Sequence, residues 1–136
     1  MRWVFWDIGD TLLNEDLLRF AIWKRLHQAL HDAGSPVTLA SLMDTRERLA
    51  AQGDSSPHYT IALEQLSVER YDVWQSSLAQ FVPGDGQQLI HPIDGIIDVL
   101  RGFSDTAHLG IIADQPPSVR NTLDRHGMID MFRVVV

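Results

Sequence analysis

Three short apolar runs, separated by stretches with helical spacing, restrict the fold of this chain more than any other feature. They cover residues 2–6, 109–113 and 132–136. Apolar runs without polar alternation are typical of strands buried on both faces of a parallel sheet. Between the later runs the pattern predicts helices at 93–103 and 116–126. Strand and helix alternate there, so the chain is predicted to have an α/β fold with a Rossmann-like parallel sheet of three strands.

The long stretch between the first two runs differs in texture. Its apolar residues recur every three or four positions, as in amphipathic helices. Thr38 is the predicted N-cap of a second helix, and Pro57 stands in the first turn of a third. Four helices with no strand among them predict a helical bundle inserted at 15–90, between core segments 1–14 and 91–136.

Polar turns follow the first two predicted strands. Asp7 comes directly after the first strand, and Ala113 and Asp114 come at the end of the second. In such sheets ligands bind outside the carboxyl ends of the strands. A carboxylate there can attack phosphorus or carbon covalently. Gly9 lets the turn fold back so that its amide and that of Asp10 point at an anion, and the helix after Asp114 favours phosphate at its N-terminus. Spacing alone leaves open that Asp7 only caps a turn.

Both turns also resemble known motifs. Residues 5–12, Phe-Trp-Asp-Ile-Gly-Asp-Thr-Leu, are similar to the first motif of haloacid-dehalogenase-superfamily (HAD) hydrolases, an apolar strand followed by Asp-x-Asp-x-Thr. Residues 109–115 resemble the second motif, an apolar strand ending in Ser or Thr. The resemblance covers the whole chain, with residues 15–90 in the place of the helical cap that many members insert after the first motif.

This resemblance implies Mg²⁺-dependent hydrolysis of a small phosphorylated substrate through an aspartyl-phosphate intermediate. Asp7 would be the nucleophile and a magnesium ligand, and the backbone carbonyl of Gly9 would be a second ligand. Thr11 would shape the turn, and position 113 would face the phosphate. The implied phosphate-binding positions are Gly9, Asp10, Thr11, Ala113 and Asp114.

The chain departs from the family pattern in three ways. Gly9 stands where phosphatases of the family have an aspartate that acts as general acid and base. Ala113 replaces the hydroxyl of the second motif. The later motifs, a lysine and an acidic pair, are absent, and Lys24, the only lysine, lies in the insert. We therefore expect the chain to be part of a longer protein and to be inactive by itself.

These departures keep other functions open. A non-catalytic HAD-like domain that acts by binding or assembly needs none of the missing groups. A carbon–halogen hydrolase needs neither Mg²⁺ nor the second aspartate. A phosphonate hydrolase is a further alternative, because such relatives lack that aspartate and use a lysine of the cap.

The missing later part of the fold also has a consequence for partners. In the family's strand order the first strand is central, and without the strand that comes fourth it would have an unpaired, apolar edge. That edge is a candidate surface for self-association.

Charge and composition exclude several partners. The net charge of −7 argues against nucleic acid and anionic membranes as partners. No apolar run approaches the roughly 20 residues of a membrane span. The chain has no cysteine, so disulfides are excluded and a cytoplasmic protein is the default expectation.

Other aromatic and histidine residues have simpler interpretations. His27 and His31 are four positions apart on a predicted helix, but without a third ligand they are interpreted as a solvated helix face. Four aromatic residues of the insert are interpreted as its core rather than as a substrate pocket. They are Trp23, Tyr71, Trp74 and Phe81.

Overall fold

The computed structural model describes all 136 residues, which form two compact units. Met1–Leu18 and Val82–Val136 form the core unit, and Arg19–Phe81 form the helical unit. The strands are β1 (Arg2–Trp6), β2 (Leu13–Asn14), β3 (His91–Pro92), β4 (Ala107–Ile111) and β5 (Val134–Val135). The α-helices are α1 (Asp16–Asp32), α2 (Leu39–Ala51), α3 (Pro57–Gln65), α4 (Val68–Phe81), α5 (Ile96–Ser104) and α6 (Val119–Arg125). None of the helices combines the length and the apolar content that crossing a bilayer requires.

The core unit contains the predicted parallel sheet, in the order β1-β4-β5. Trp6 lies opposite Ile111 in the β1–β4 pair, and Ile111 lies opposite Val135 in the β4–β5 pair. The three predicted strands and the α/β fold class are thereby confirmed, although β5 is shorter than its apolar run.

The sequence predicted that the first strand is buried on both faces, and this prediction was wrong. Trp3 and Phe5 each remain 48% exposed, and no residue of β1 is fully buried. The physical reason is the position of β1 at the edge, where β4 is its only neighbour. β4 lies between two strands, and Leu109 and Ile111 are buried to within 1%. Among the strands of this chain, therefore, β4 is central and β1 is not.

Close packing between strands explains a glycine in the middle of β4. A Cβ added at Gly110 would lie 2.5 Å from the Phe5 ring and 2.9 Å from Cγ1 of Val134. Real Cβ atoms do not approach other atoms so closely, so a larger residue here would push both neighbouring strands away.

A second, two-stranded sheet was not predicted. β2 and β3 are antiparallel, with Leu13 opposite Pro92 and Asn14 opposite His91. The Ile93 amide also donates to the Leu12 carbonyl at 3.0 Å. Two paired backbone segments, β2 and β3, therefore flank the part of the chain that carries the helical unit.

The core unit takes in more of the chain after the helices than expected. A 3-10 helix at Asp85–Leu89 buries Gln87, whose Oε1 accepts a hydrogen bond of 2.6 Å from Thr122. Arg125 donates to the Gln87 carbonyl at 2.7 Å. These bonds hold the 3-10 helix against α6. The helical unit is accordingly Arg19–Phe81, whereas the sequence predicted an insert at 15–90.

The helical unit has an aromatic core. Trp23 and Trp74 are 4% and 5% exposed, and the Tyr59 ring meets Trp74 edge-on at 5.5 Å. The interpretation of these two tryptophans as core is thus confirmed. Phe81 lies beneath the Arg25 guanidinium at 3.8 Å.

Two polar side chains of the helical unit, those of Thr38 and His27, contact backbone groups. The Thr38 hydroxyl accepts a hydrogen bond from the Ser41 amide at 3.1 Å, as predicted for an N-cap. His27 Nε2 lies 3.0 Å from the Val37 carbonyl, so its ring ties the end of α1 to the following loop. His31 is exposed.

The exposed edge of β1 leads to a prediction about association. Trp3 and Phe5 stack with ring centroids 5.7 Å apart, on a strand with one free edge. Unpaired apolar edges promote pairing with other chains. We expect the sedimentation coefficient of the chain to rise with concentration, and Trp3→Lys to suppress this rise. Val99→Lys, which replaces an apolar residue 46% exposed on α5, is the matched control. Equal association of the wild-type chain and Trp3→Lys would contradict the prediction.

Candidate functional site

The turns that follow β1 and β4 lie side by side in the core unit. The two strands are parallel neighbours, and the Ile112 amide extends their pairing by donating to the Trp6 carbonyl at 3.0 Å. Asp7, directly after β1, is therefore adjacent to the segment that carries Ala113 and Asp114. The Asp7 side chain is exposed, so an approaching ligand has access to its carboxylate.

Backbone hydrogen bonds close the first turn tightly. The Ile8 carbonyl accepts from the amides of Thr11, Leu12 and Leu13 at 2.8–3.1 Å. Asp10 has a left-handed backbone, with φ of 58°, and its amide donates to the Leu13 carbonyl at 2.8 Å. The amides of Asp10 and Thr11 are thus committed to the turn and not to an anion.

Gly9 faces two side chains from other parts of the core unit. A Cβ at Gly9 would lie 3.2 Å from Nε2 of Gln115 and 3.2 Å from Oε2 of Glu15. Both residues are half-buried. The space in which the family's acid–base aspartate would begin is therefore tight, and Glu15 and Gln115 would have to shift by a few tenths of an ångström to admit it. Sequence spacing gives no sign of this meeting, because Glu15 follows β2 and Gln115 follows β4.

Several positions of the second turn have a bonded amide or no amide hydrogen. The Ala113 amide donates to the Val136 carbonyl at 3.3 Å, and Pro116 and Pro117 have no amide hydrogen. Helix α6 begins at Val119, three residues later than predicted, and it has only seven residues. The amides of Val119 and Arg120 donate to the carbonyls of the two prolines at 3.0 and 3.2 Å. The amides of Val119 and Arg120 are therefore not available to an anion, whereas those of Asp114 and Gln115 have no backbone partner.

Each of the two units has surface cavities with their own lining residues. A cleft of about 200 Å³ in the core unit borders Ala113, Gln115 and Arg120. A larger groove, of about 570 Å³, lies in the helical unit, and Arg25, Arg70 and Trp74 are among its lining residues. Asp7 lines neither of them, so its exposure reflects an open position rather than a closed pocket.

Asp7 and Gly9 provide the type of donor atom that Mg²⁺ prefers. Its carboxylate and the Gly9 carbonyl are hard oxygen donors, and Mg²⁺ is commonly held by one or two carboxylates with waters and substrate phosphate. Nowhere in the chain do three or more histidine or acidic side chains gather into a cluster that could hold a metal. A magnesium site here would thus depend on the substrate or on further protein ligands.

The tight space beside Gly9 gives a prediction about stability. Gly9→Asp is expected to lower the free energy of unfolding by about 1–3 kcal/mol, because the new side chain must displace Glu15 or Gln115 and adds a carboxylate beside Glu15. Glu15→Ala in the same chain should recover most of this loss. Urea unfolding measures both effects.

A matched control for this experiment is Gly102→Asp. A Cβ at Gly102 meets no atom within 4 Å, so the free energy of unfolding should change by no more than about 0.5 kcal/mol. Wild-type stability of Gly9→Asp would show that the space beside Gly9 is open.

Comparison with solved structures defines the class of fold. A HAD-superfamily hydrolase of subfamily IA from Geobacter sulfurreducens has a TM-score of 0.70 at 15% identity, covering 100% of this chain and 62% of that one. A HAD phosphatase from Thermococcus onnurineus has a TM-score of 0.56 at 20% identity, covering 100% and 61%. A HAD hydrolase from Bacillus subtilis, described as bound to magnesium, has a TM-score of 0.61 at 16% identity, covering 98% and 63%.

The chain therefore has the fold of HAD-superfamily hydrolases, with a Rossmann-like parallel sheet and a helical insert. It spans about three fifths of the length of these solved structures. No protein-family model and no curated protein matches its sequence.

Proposed function

We propose that the protein carrying this chain hydrolyses phosphoric esters of small molecules, with Asp7 as the nucleophile. The observation that carries the proposal is the exposed Asp7 carboxylate directly after β1, beside the turn that follows β4, in a HAD-like fold. The carboxyl ends of parallel strands are where such folds bind ligands. The cytoplasmic location suggested by the sequence is part of the same proposal.

The chemistry expected of Asp7 has two steps. A carboxylate oxygen attacks phosphorus and the bond to the ester oxygen breaks, which leaves an aspartyl phosphate. Water then attacks this phosphate, which releases inorganic phosphate and restores the carboxylate. Gly9 carries no proton, so the leaving group takes its proton from water or from another carboxyl group. The carboxylate that packs against Gly9 belongs to Glu15.

Magnesium dependence belongs to the proposal as well. The residues that would hold the ion are Asp7, through its carboxylate, and Gly9, through its backbone carbonyl. A bound Mg²⁺ supplies positive charge that offsets the repulsion between a carboxylate and a phosphate.

The second candidate function is a non-catalytic domain that binds or assembles. Gly9 in the acid–base position and Ala113 in the hydroxyl position favour it, as do the bonded amides of Asp10, Thr11 and Ala113. No comparable observation favours carbon–halogen or phosphonate hydrolysis. Lys24, the residue that suggested the latter, lies on the helical unit with its Nζ 5.2 Å from the centre of the Phe20 ring.

Hydrolysis of an aryl phosphate, with and without Mg²⁺, tests the proposal. We expect negligible turnover by the 136-residue chain, because each absent proton-transfer or electrostatic group costs on the order of 10²–10⁴ in rate. A longer protein that contains the chain together with a lysine and an acidic pair should be active only with Mg²⁺. Robust Mg²⁺-dependent turnover by the short chain would contradict the incomplete-site argument. No turnover by the longer protein on any phosphate ester would favour the binding domain.

A further inference from the structure

A phosphoryl group beside Asp7 would find several backbone amides of the two turns already bonded, and no side-chain hydroxyl at position 113. Ala113 has no hydroxyl, and the Ala113 amide is bonded to Val136. The amides of Asp10 and Thr11 are bonded within the first turn. Pro116 and Pro117 have none to offer. A phosphate oxygen left without donors would lose hydrogen bonds that it makes in water, so binding would be unfavourable.

One side-chain donor of the second turn is directed at the first. Nε2 of Gln115 lies 3.2 Å from the position of a Cβ at Gly9, two residues beyond Asp7. Gln115 also lines the cleft that Ala113 borders, and it is half-buried, which restricts its motion. A primary amide carries two N–H donors and needs no change of protonation to use them. The side chain thus lies beside both turns and brings two side-chain donors to a place where Ala113 has none.

We propose that Gln115 is the side-chain donor to the phosphoryl group that Asp7 attacks, in place of the hydroxyl missing at Ala113. This assignment rests on the proposed function. It also gives a reason for the glycine at position 9. A side chain there would displace the Gln115 amide, so the loss of the acid–base aspartate and the gain of an amide donor belong to one rearrangement of the site.

Substitutions at Gln115 separate this role from simple packing. Gln115→Met keeps most of the side-chain volume and removes both donors, whereas Gln115→Ala removes volume and donors together. Gln115→Glu keeps the shape and places a negative charge where the anion would bind. If Gln115 only fills space, Gln115→Met should behave as the wild-type chain does.

Binding of inorganic phosphate in the presence of Mg²⁺ is the measurement, by isothermal titration with the whole chain. We expect Gln115→Met to weaken phosphate binding by about 10- to 100-fold, the usual effect of losing a hydrogen bond to a charged group. Gln115→Glu should weaken it further. Ala113→Ser in the Gln115→Met chain should restore part of the affinity, because it returns a donor at the neighbouring position. Gln88→Met, at an exposed glutamine of the 3-10 helix, is the matched control and should have no effect.

Equal phosphate affinity of the wild-type chain and Gln115→Met would overturn the inference, and so would the absence of saturable binding by the wild-type chain. Failure of the proposed function would give a different experimental result. In that case turnover by the longer protein would be indifferent to Asp7→Asn, while phosphate binding would still depend on Gln115. Turnover that depends on Asp7, with phosphate binding indifferent to Gln115, would leave the hydrolase proposal standing and remove only this inference.

Discussion

In a longer protein that contains this chain and is active, Asp7→Asn is expected to abolish phosphate-ester hydrolysis, with a loss of at least about 10⁴-fold in kcat. An asparagine has nearly the same shape as aspartate, but its amide is a poor nucleophile and carries no charge to attract Mg²⁺. The exposed position of Asp7 after β1 makes a folding defect an improbable cause of such a loss. Initial rates on an aryl phosphate measure the effect.

A surface carboxylate provides the control for Asp7→Asn. Asp98 lies on α5, where its exposed carboxylate forms an ion pair with Arg101 at 3.6 Å. Asp98→Asn should therefore leave kcat unchanged. If Asp7→Asn retained full activity while its structure was intact, Asp7 would not be the nucleophile.

The largest effect on stability is expected at Trp74. Trp74→Ala should lower the free energy of unfolding by about 3–5 kcal/mol, because it empties the centre of the aromatic cluster that holds α3 and α4 together. Urea denaturation followed by circular dichroism measures the loss. Val73→Ala, at the neighbouring position with 72% exposure, should change the free energy by no more than about 0.5 kcal/mol.

A finer variant tests the chemistry of the same position. The indole nitrogen of Trp74 is buried without a hydrogen-bond partner, and a buried unpaired donor is unfavourable. Trp74→Phe removes this donor while keeping an aromatic ring, so it should cost far less than Trp74→Ala. Equal losses for the two variants would mean that the ring itself contributes little to the helical unit.

The sheet and the helices could be predicted because their signals are local. The apolar run at 109–113 lacks polar alternation, and this is the pattern of a central strand such as β4. Thr38 stands just before an amphipathic stretch, which is the usual arrangement at a helix start. Order along the chain then places the carboxyl ends of β1 and β4 at one edge of the sheet.

The burial of β1 was wrongly predicted from its composition, although the strand order of the HAD family had indicated an unpaired edge. The residues of β1 have the composition of a strand with neighbours on both sides, and composition does not reveal which neighbours are present. The exposure of Trp3 and Phe5 depends on the absence of a strand beyond β1, which is a property of the assembled sheet.

The hydrogen bonds of the candidate site could not be predicted from the sequence either. The Asp10 amide donates to the Leu13 carbonyl in a turn where Asp10 has a left-handed backbone, and the sequence does not indicate this arrangement. The approach of Gln115 to Gly9 joins residues far apart in the chain. The periodicity of the sequence does not indicate such a contact.

The pairing of β2 with β3 affects how the inserted helical segment can change during evolution. Because Leu13 lies opposite Pro92, the segment between them, which carries the helical unit Arg19–Phe81, begins and ends at neighbouring backbone positions. An insertion at such a place changes the loop-closure entropy only slowly as it grows, and it does not disturb the order of the parallel strands. Helical modules of different length and sequence can therefore be exchanged at this junction over evolutionary time, while the turns after β1 and β4 diverge on their own.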